Sequence, residues 1–106
     1  MILVQVFRDN KEINKIEVKG HSGYEEFGKD IVCSAVSSSV ILTINLLERL
    51  GFDFECKEDP NVPLISLVIK ESSELVQSIL ENLVDSLNDI SKQYKKYIQI
   101  KTKFWN

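Results

Sequence analysis

The sequence predicts an α+β fold in two layers: a mainly antiparallel sheet in the order β-β-α-β-β-α-β, with two helices on one of its faces. Three observations lead there. Five short segments alternate apolar and polar residues, which marks strands with one wet face. Two long segments between them carry helical signals. Turn chemistry, rather than long linkers, joins the elements.

Residues 2–7 form the first expected strand, rich in Ile, Val and Phe. Arg8-Asp9-Asn10-Lys11 supplies the turn, because Asn and Asp tolerate left-handed backbone angles. Residues 12–19 complete a hairpin, with Ile16 and Val18 on one face and Lys15, Glu17 and Lys19 on the other. Residues 20–30 break the pattern and hold three of the four glycines, Gly20, Gly23 and Gly28, which predicts a mobile loop. Asp30 then reads as a helix N-cap, and the helix runs to about Leu50, where Gly51 stops it.

In the second half, Phe52, Phe54 and Cys56 alternate with Asp53, Glu55 and Lys57 as a strand over 52–57, with Cys56 expected in the core. The Asp59-Pro60-Asn61 turn leads to a strand at 64–70. Ser72 or Ser73 caps a second helix of roughly 74–95, whose apolar residues Val76, Ile79, Leu80, Leu83, Leu87 and Ile90 fall on one stripe. Residues 97–103 alternate again as a last strand, with Phe104-Trp105 expected to pack it down. The first helix differs from the second: Ala35, Val36, Val40, Ile41, Leu42, Ile44, Leu46 and Leu47 surround it. One sheet face cannot cover such a helix, so it is expected to line a homodimer interface as well.

The 106 residues fit a single domain, 1–106. Thirteen basic residues against sixteen acidic ones leave a net charge of −3, which argues against a nucleic-acid-binding surface. Ile2-Leu3-Val4 is too short for a signal-peptide core, and serines, Thr43 and Asn45 interrupt the uncharged run Ile31–Leu47, so neither a leader nor a membrane span is expected. A cytoplasmic protein with its two thiols, Cys33 and Cys56, reduced is the expectation. Two thiols and one histidine are too few for a structural zinc site, and no cofactor is implied.

The chemistry concentrates in Gly20-His21-Ser22-Gly23-Tyr24-Glu25-Glu26-Phe27-Gly28-Lys29-Asp30-Ile31-Val32-Cys33, which holds the sole histidine. Cys33, read as lying in the first turn of a helix, would have its thiolate favoured by free N–H groups and the positive dipole end. His21, at a strand end, could fold over it to take the thiol proton and return it to a leaving amine. The helix-start N–H groups would serve a tetrahedral oxyanion. Asp30 could orient His21 or cap the helix, and capping is the simpler role. On spacing alone, a loop histidine and a buried structural cysteine are the commoner readings. Likewise Ser37-Ser38-Ser39 reads as small residues for helix packing, and Lys92, Lys95 and Lys96 as cations at a helix C-terminus.

Gly20-His21, a glycine-containing loop, and Gly28-Lys29-Asp30-Ile31-Val32-Cys33-Ser34-Ala35-Val36-Ser37 together resemble the signature of the ribosomal-processing cysteine protease family, Prp. The order of elements matches along the whole chain. The resemblance implies Cys33 as nucleophile, His21 as general base and Asp30 at the family's aspartate position. It implies a substrate-gating loop of Ser22, Gly23, Tyr24, Glu25, Glu26, Phe27, Gly28 and Lys29, and a homodimer. It also implies a substrate: the N-terminal extension of bacterial large-subunit ribosomal protein 27, cut after aromatic residues. Ser22 and Ser34 stand where the family often has alanine, and both remain small. The competing readings are a non-enzymatic ribosome-associated binding module with the same fold, and a different thiol acyl-transfer enzyme using the same pair.

Overall fold

The computed structural model describes residues 1–20, 27–59 and 64–105, with the side chains of 27–30 excepted. The expected His21, the loop residues Ser22 to Glu26, and Pro60-Asn61 of the expected turn lie outside the described residues. Alternation and turn chemistry place the hairpin where expected: β1 (Ile2–Asp9) pairs antiparallel with β2 (Glu12–Lys19). Asn10, at φ 58, takes the left-handed turn position. One register shift between Phe7 and Arg8 accommodates the turn.

Helix α1 spans Phe27–Arg49, β3 Phe54–Asp59, β4 Leu64–Ile69, α2 Glu74–Gln93 and β5 Ile98–Phe104. The five strands form one sheet in the order β3-β4-β2-β1-β5. All neighbours pair antiparallel except β1 and β5, which run parallel. These directions make β2-α1-β3 and β4-α2-β5 two parallel crossovers, the first stepping over β4 and the second over β2 and β1. That is why the strands alternate with helices along the chain while most strand pairs are antiparallel.

Two helix ends follow from local chemistry. Gly51, at φ 79, closes α1: its N–H donates to the Glu48 carbonyl at 3.0 Å and the Phe52 N–H to the Leu47 carbonyl at 3.1 Å. This is a Schellman arrangement, and it assigns Phe52 to the helix stop rather than to the next strand. β3 therefore starts two residues later than the alternation suggests. At α2, Ser73 rather than Ser72 is the cap, its hydroxyl accepting from the Val76 N–H at 3.2 Å. Gln77 ties α2 to β2, accepting from the Ile13 N–H at 2.8 Å and donating to its carbonyl at 2.9 Å.

The core lies between the helices and one sheet face. Ile2, Val4 and Val6 of β1, Ile16 of β2 and Leu67 of β4 meet Val32, Val36, Val40 and Leu47 of α1 and Val76, Leu80, Leu83 and Leu87 of α2. Burying a side chain of this kind contributes about 1.5–3 kcal/mol, which is what holds the amphipathic α2 in place. By length and mean hydropathy (1.7 over Ile31–Arg49), α1 reaches what a membrane crossing needs, contrary to the reading from its polar interruptions. One face of the helix is buried on the sheet, while Ile41, Leu42 and Leu46 stay exposed.

Cys56 departs from expectation. It stays in register with Leu67 on the helix-facing side, but β3 is an edge strand and Cys56 is exposed, not core. Partial desolvation, with the Glu58 carboxylate beside it, pushes its thiol pKa above the ordinary value. At the far end, Trp105 packs edge-on against Phe7 at 6.1 Å, whereas Phe104 remains 75% exposed.

Candidate active site

α1 opens at Phe27, three residues before the expected cap. Three corrections follow. Asp30 is a first-turn residue of the helix, not its cap. Phe27, Gly28 and Lys29, read as loop, form the first turn. Cys33 lies in the second turn, not the first. The physical reason is that a first-turn acid satisfies the helix dipole as well as a cap does, and one glycine near a helix end costs little. The amides without an intrahelical partner are those of Phe27 to Asp30, a turn ahead of Cys33. The dipole's effect fades within that first turn, so it activates Cys33 less than a helix-start position would.

The surroundings of Cys33 are set by packing. Val32 and Val36 are buried on the sheet, which places Cys33 on the flank of that contact, half-buried and packed against the core. Beside it a cavity of about 100 Å³ is lined by Cys33, Val36 and Ser37 of α1, Ile2 of β1, Val18 and Gly20 at the end of β2, and Ile65 of β4. Ser37 stands one helical turn after Cys33, the i,i+4 relation that sets two side chains on one face. That spacing is the signal that could have moved Ser37 from helix packing to the site. Ile2, Val18 and Ile65 could not be found from the sequence, because their meeting depends on strand order: Val4 pairs with Val18, and Val18 with Ile65.

Gly20 is fixed by space. Its φ is +153, and a Cβ there would lie 2.7 Å from the Ile2 Cα and 3.0 Å from the Met1 carbonyl oxygen. The β2 end therefore presses against the β1 start directly at the cavity. Among the described residues no cluster of three His, Cys, Asp or Glu side chains could hold a metal. A half-buried thiol beside an apolar recess with one hydroxyl suits attack on a carbonyl whose neighbouring side chain fills the recess.

The family profile described as cysteine protease Prp matches residues 1–99. The ribosomal processing cysteine protease Prp of Bacillus subtilis (strain 168) is 27% identical over 99 residues, covering 88% of each chain. Among solved structures, the essential ribosomal processing protease Prp from S. aureus in complex with a substrate peptide superposes with a TM-score of 0.88. Its identity is 23%, over 97% of this chain and 100% of that one. The same S. aureus protease with a covalently linked product peptide gives a TM-score of 0.85 at 24% identity, with the same coverage. SMU.848 from Streptococcus mutans gives 0.83 at 23% identity, over 99% of this chain and 96% of that one.

Proposed function

This chain belongs to the cysteine protease Prp family, and from that premise we propose that Cys33 is its nucleophile and His21 its general base. One observation carries the reading: Cys33 and Gly20 wall the same cavity, and His21 follows Gly20 in the sequence. Successive Cα atoms are ~3.8 Å apart, so the sole histidine is tethered one residue from the thiol's recess. Asp30, three residues before Cys33, is the carboxylate assigned to orient the imidazole.

His21 takes the Cys33 thiol proton, and the sulfur attacks the scissile carbonyl carbon. The tetrahedral intermediate collapses to a thioester as His21 hands the proton to the departing amine. Water, deprotonated by His21, then attacks the thioester and frees the carboxylic acid and the thiol. Because Cys33 lies past the first helical turn, the base rather than the helix dipole supplies most of the activation.

The substrate assigned is the N-terminal extension of large-subunit ribosomal protein 27. The relative from Bacillus subtilis bears the name of a ribosomal processing protease. The apolar cavity supports an apolar residue beside the scissile bond, and the segment Ser22 to Glu26, which leads into α1, gates it. The protein acts in the cytoplasm as a homodimer. A groove of about 240 Å³ between α1 and α2, lined by Leu42, Thr43, Leu46, Ser78, Ile79 and Asn82, supports the dimer. The exposed Ile41 and Leu50 extend that surface.

The test is incubation with the extended ribosomal protein. The wild type should release the extension, and Cys33→Ala should abolish cleavage without loss of fold. Iodoacetamide should modify Cys33 before Cys56, whose thiol is held protonated. Cleavage by Cys33→Ala would refute the nucleophile. Equal, slow labelling of both thiols with no cleavage would leave the non-enzymatic binding module.

A further inference from the structure

The sheet has a second face, and among the described residues no helix covers it. In-register pairs place Leu3, Gln5 and Phe7 of β1 there, with Lys19, Glu17 and Lys15 of β2 on one side and Gln99, Lys101 and Lys103 of β5 on the other. Four lysines therefore face one carboxylate across three adjacent strands. Glu17 is shared between Lys15 at 3.2 Å and Lys19 at 3.3 Å, which leaves that group cationic. Lys101 and Lys103 are exposed and form no ion pair among the described residues. Other acids lie apart from these lysines: Glu74, Glu81, Asp85 and Asp89 are on α2, and Glu58 is on the helix-facing side of β3. Glu55 and Asp59 share the open face but sit on the edge strand β3, separated from β2 by β4, and Glu55 is ion-paired with Lys57 and Lys70.

Aromatic rings stand within this basic field. Phe7 lies between Lys15, whose Nζ is 5.2 Å from the ring centroid, and the edge-packed Trp105. The Trp105 backbone N–H donates to the Arg8 carbonyl at 2.8 Å, so the ring is held on the sheet rather than on a loose tail. Half-buried aromatic rings on a sheet, flanked by lysines on both adjoining strands, match the needs of an unpaired nucleic-acid strand: a platform for bases and cations for phosphates. An acidic peptide would use the lysines but not the rings. Duplex would expose no unstacked base to them.

We propose that the β1-β2-β5 sheet face binds single-stranded RNA, with Lys15, Lys19, Lys101 and Lys103 at phosphates and Trp105 and Phe7 at bases. This face lies across the sheet from Cys33, so a bound strand leaves the cavity open. The net charge pointed away from such a surface because it averages in the acids of α2 and of the edge strand β3, which the fold holds apart from these lysines.

The probe is a fluorescein-labelled twelve-nucleotide oligouridylate, titrated by anisotropy from 50 to 200 mM salt, with the emission of the sole tryptophan, Trp105, as a second readout. Wild-type binding should weaken with salt at a log–log slope of about −2 to −3, the value for three or four phosphates on a single strand. Saturating RNA should quench Trp105. The double variant Lys101→Glu/Lys103→Glu, at exposed positions, should keep the wild-type fold and lose tenfold or more in affinity, with a slope smaller by about 1.4. Trp105→Ala should weaken binding at least fivefold. The proposal is overturned by no binding at 50 mM salt, by an unchanged double variant, by unaltered Trp105 emission at saturation, or by poly-glutamate or duplex RNA competing as well as the single strand.

Discussion

Gly20→Ala is the perturbation that most directly couples the fold to the site. The new Cβ would sit 2.7 Å from the Ile2 Cα, where ordinary contact begins at 3.4 Å. The atom in the way is backbone, so no rotamer change relieves it. A φ of +153 adds strain that a side chain rarely tolerates. Backbone strain of about 1–3 kcal/mol and overpacking of similar size predict a loss on the order of 2–6 kcal/mol. Relief requires Ile2 or Gly20 to move, and both wall the cavity beside Cys33. A displacement approaching 1 Å at reacting groups can cost about a hundredfold in rate, so kcat/KM should fall at least tenfold even where the variant is fully folded. Urea denaturation measures the first effect, and peptide cleavage well below the unfolding midpoint measures the second. A variant within about 0.5 kcal/mol of wild type that cleaves within twofold of its rate would refute the reasoning, because the clash would then be absorbed without touching the site.

Other consequences are more local. Leu80 is fully buried, and Leu80→Ala should destabilise by about 2–5 kcal/mol in urea melts, through lost burial and the cavity left behind. Arg8 and Glu81 join β1 to α2 by two hydrogen bonds, at 2.7 and 3.0 Å. With side chains 26% and 42% exposed, water screens the pair, so Glu81→Gln should cost at most about 1 kcal/mol. The hydrogen bond from Arg8 lowers the Glu81 pKa below its ordinary 4.5, so the pair's contribution is complete above that value. It is lost as the pH falls through the lower folded-state value. The stability gap between wild type and Glu81→Gln should therefore close on acidification below about pH 4.5 in pH-stepped urea melts. A gap that persisted undiminished at the acid end would remove the pair as its source.

Much of the architecture was legible because it rests on short-range signals. Alternation in Ile2–Phe7 and Glu12–Lys19, the Asn10 turn, the Gly51 stop and the apolar stripe of α2 each concern neighbours in the chain, and each reads directly from residue types. Cys33 as the candidate nucleophile was legible for a similar reason, since one histidine and one motif single it out. Element ends were less so. Gly28 and Asp30 suit a loop and a cap as well as a first helical turn, and the start of α1 depends on which the surrounding chain allows. Cys56 alternated correctly with Phe54, yet alternation gives the side of a sheet and not whether a helix covers it there.

What the sequence determined by itself, then, is the set of elements, the faces they bury and the residues able to do thiol chemistry. Tertiary structure alone decided the strand order β3-β4-β2-β1-β5, and with it every property that needs distant residues side by side. Ile2, Gly20 and Ile65 meet Cys33 only because β1, β2 and β4 are neighbours under α1. The lysines of β2 and β5 share a face only because β1 lies between them. The physical reason is that periodicity encodes burial along one element. Which elements become neighbours is settled by the joint packing of both helices on one sheet, a property no single segment carries.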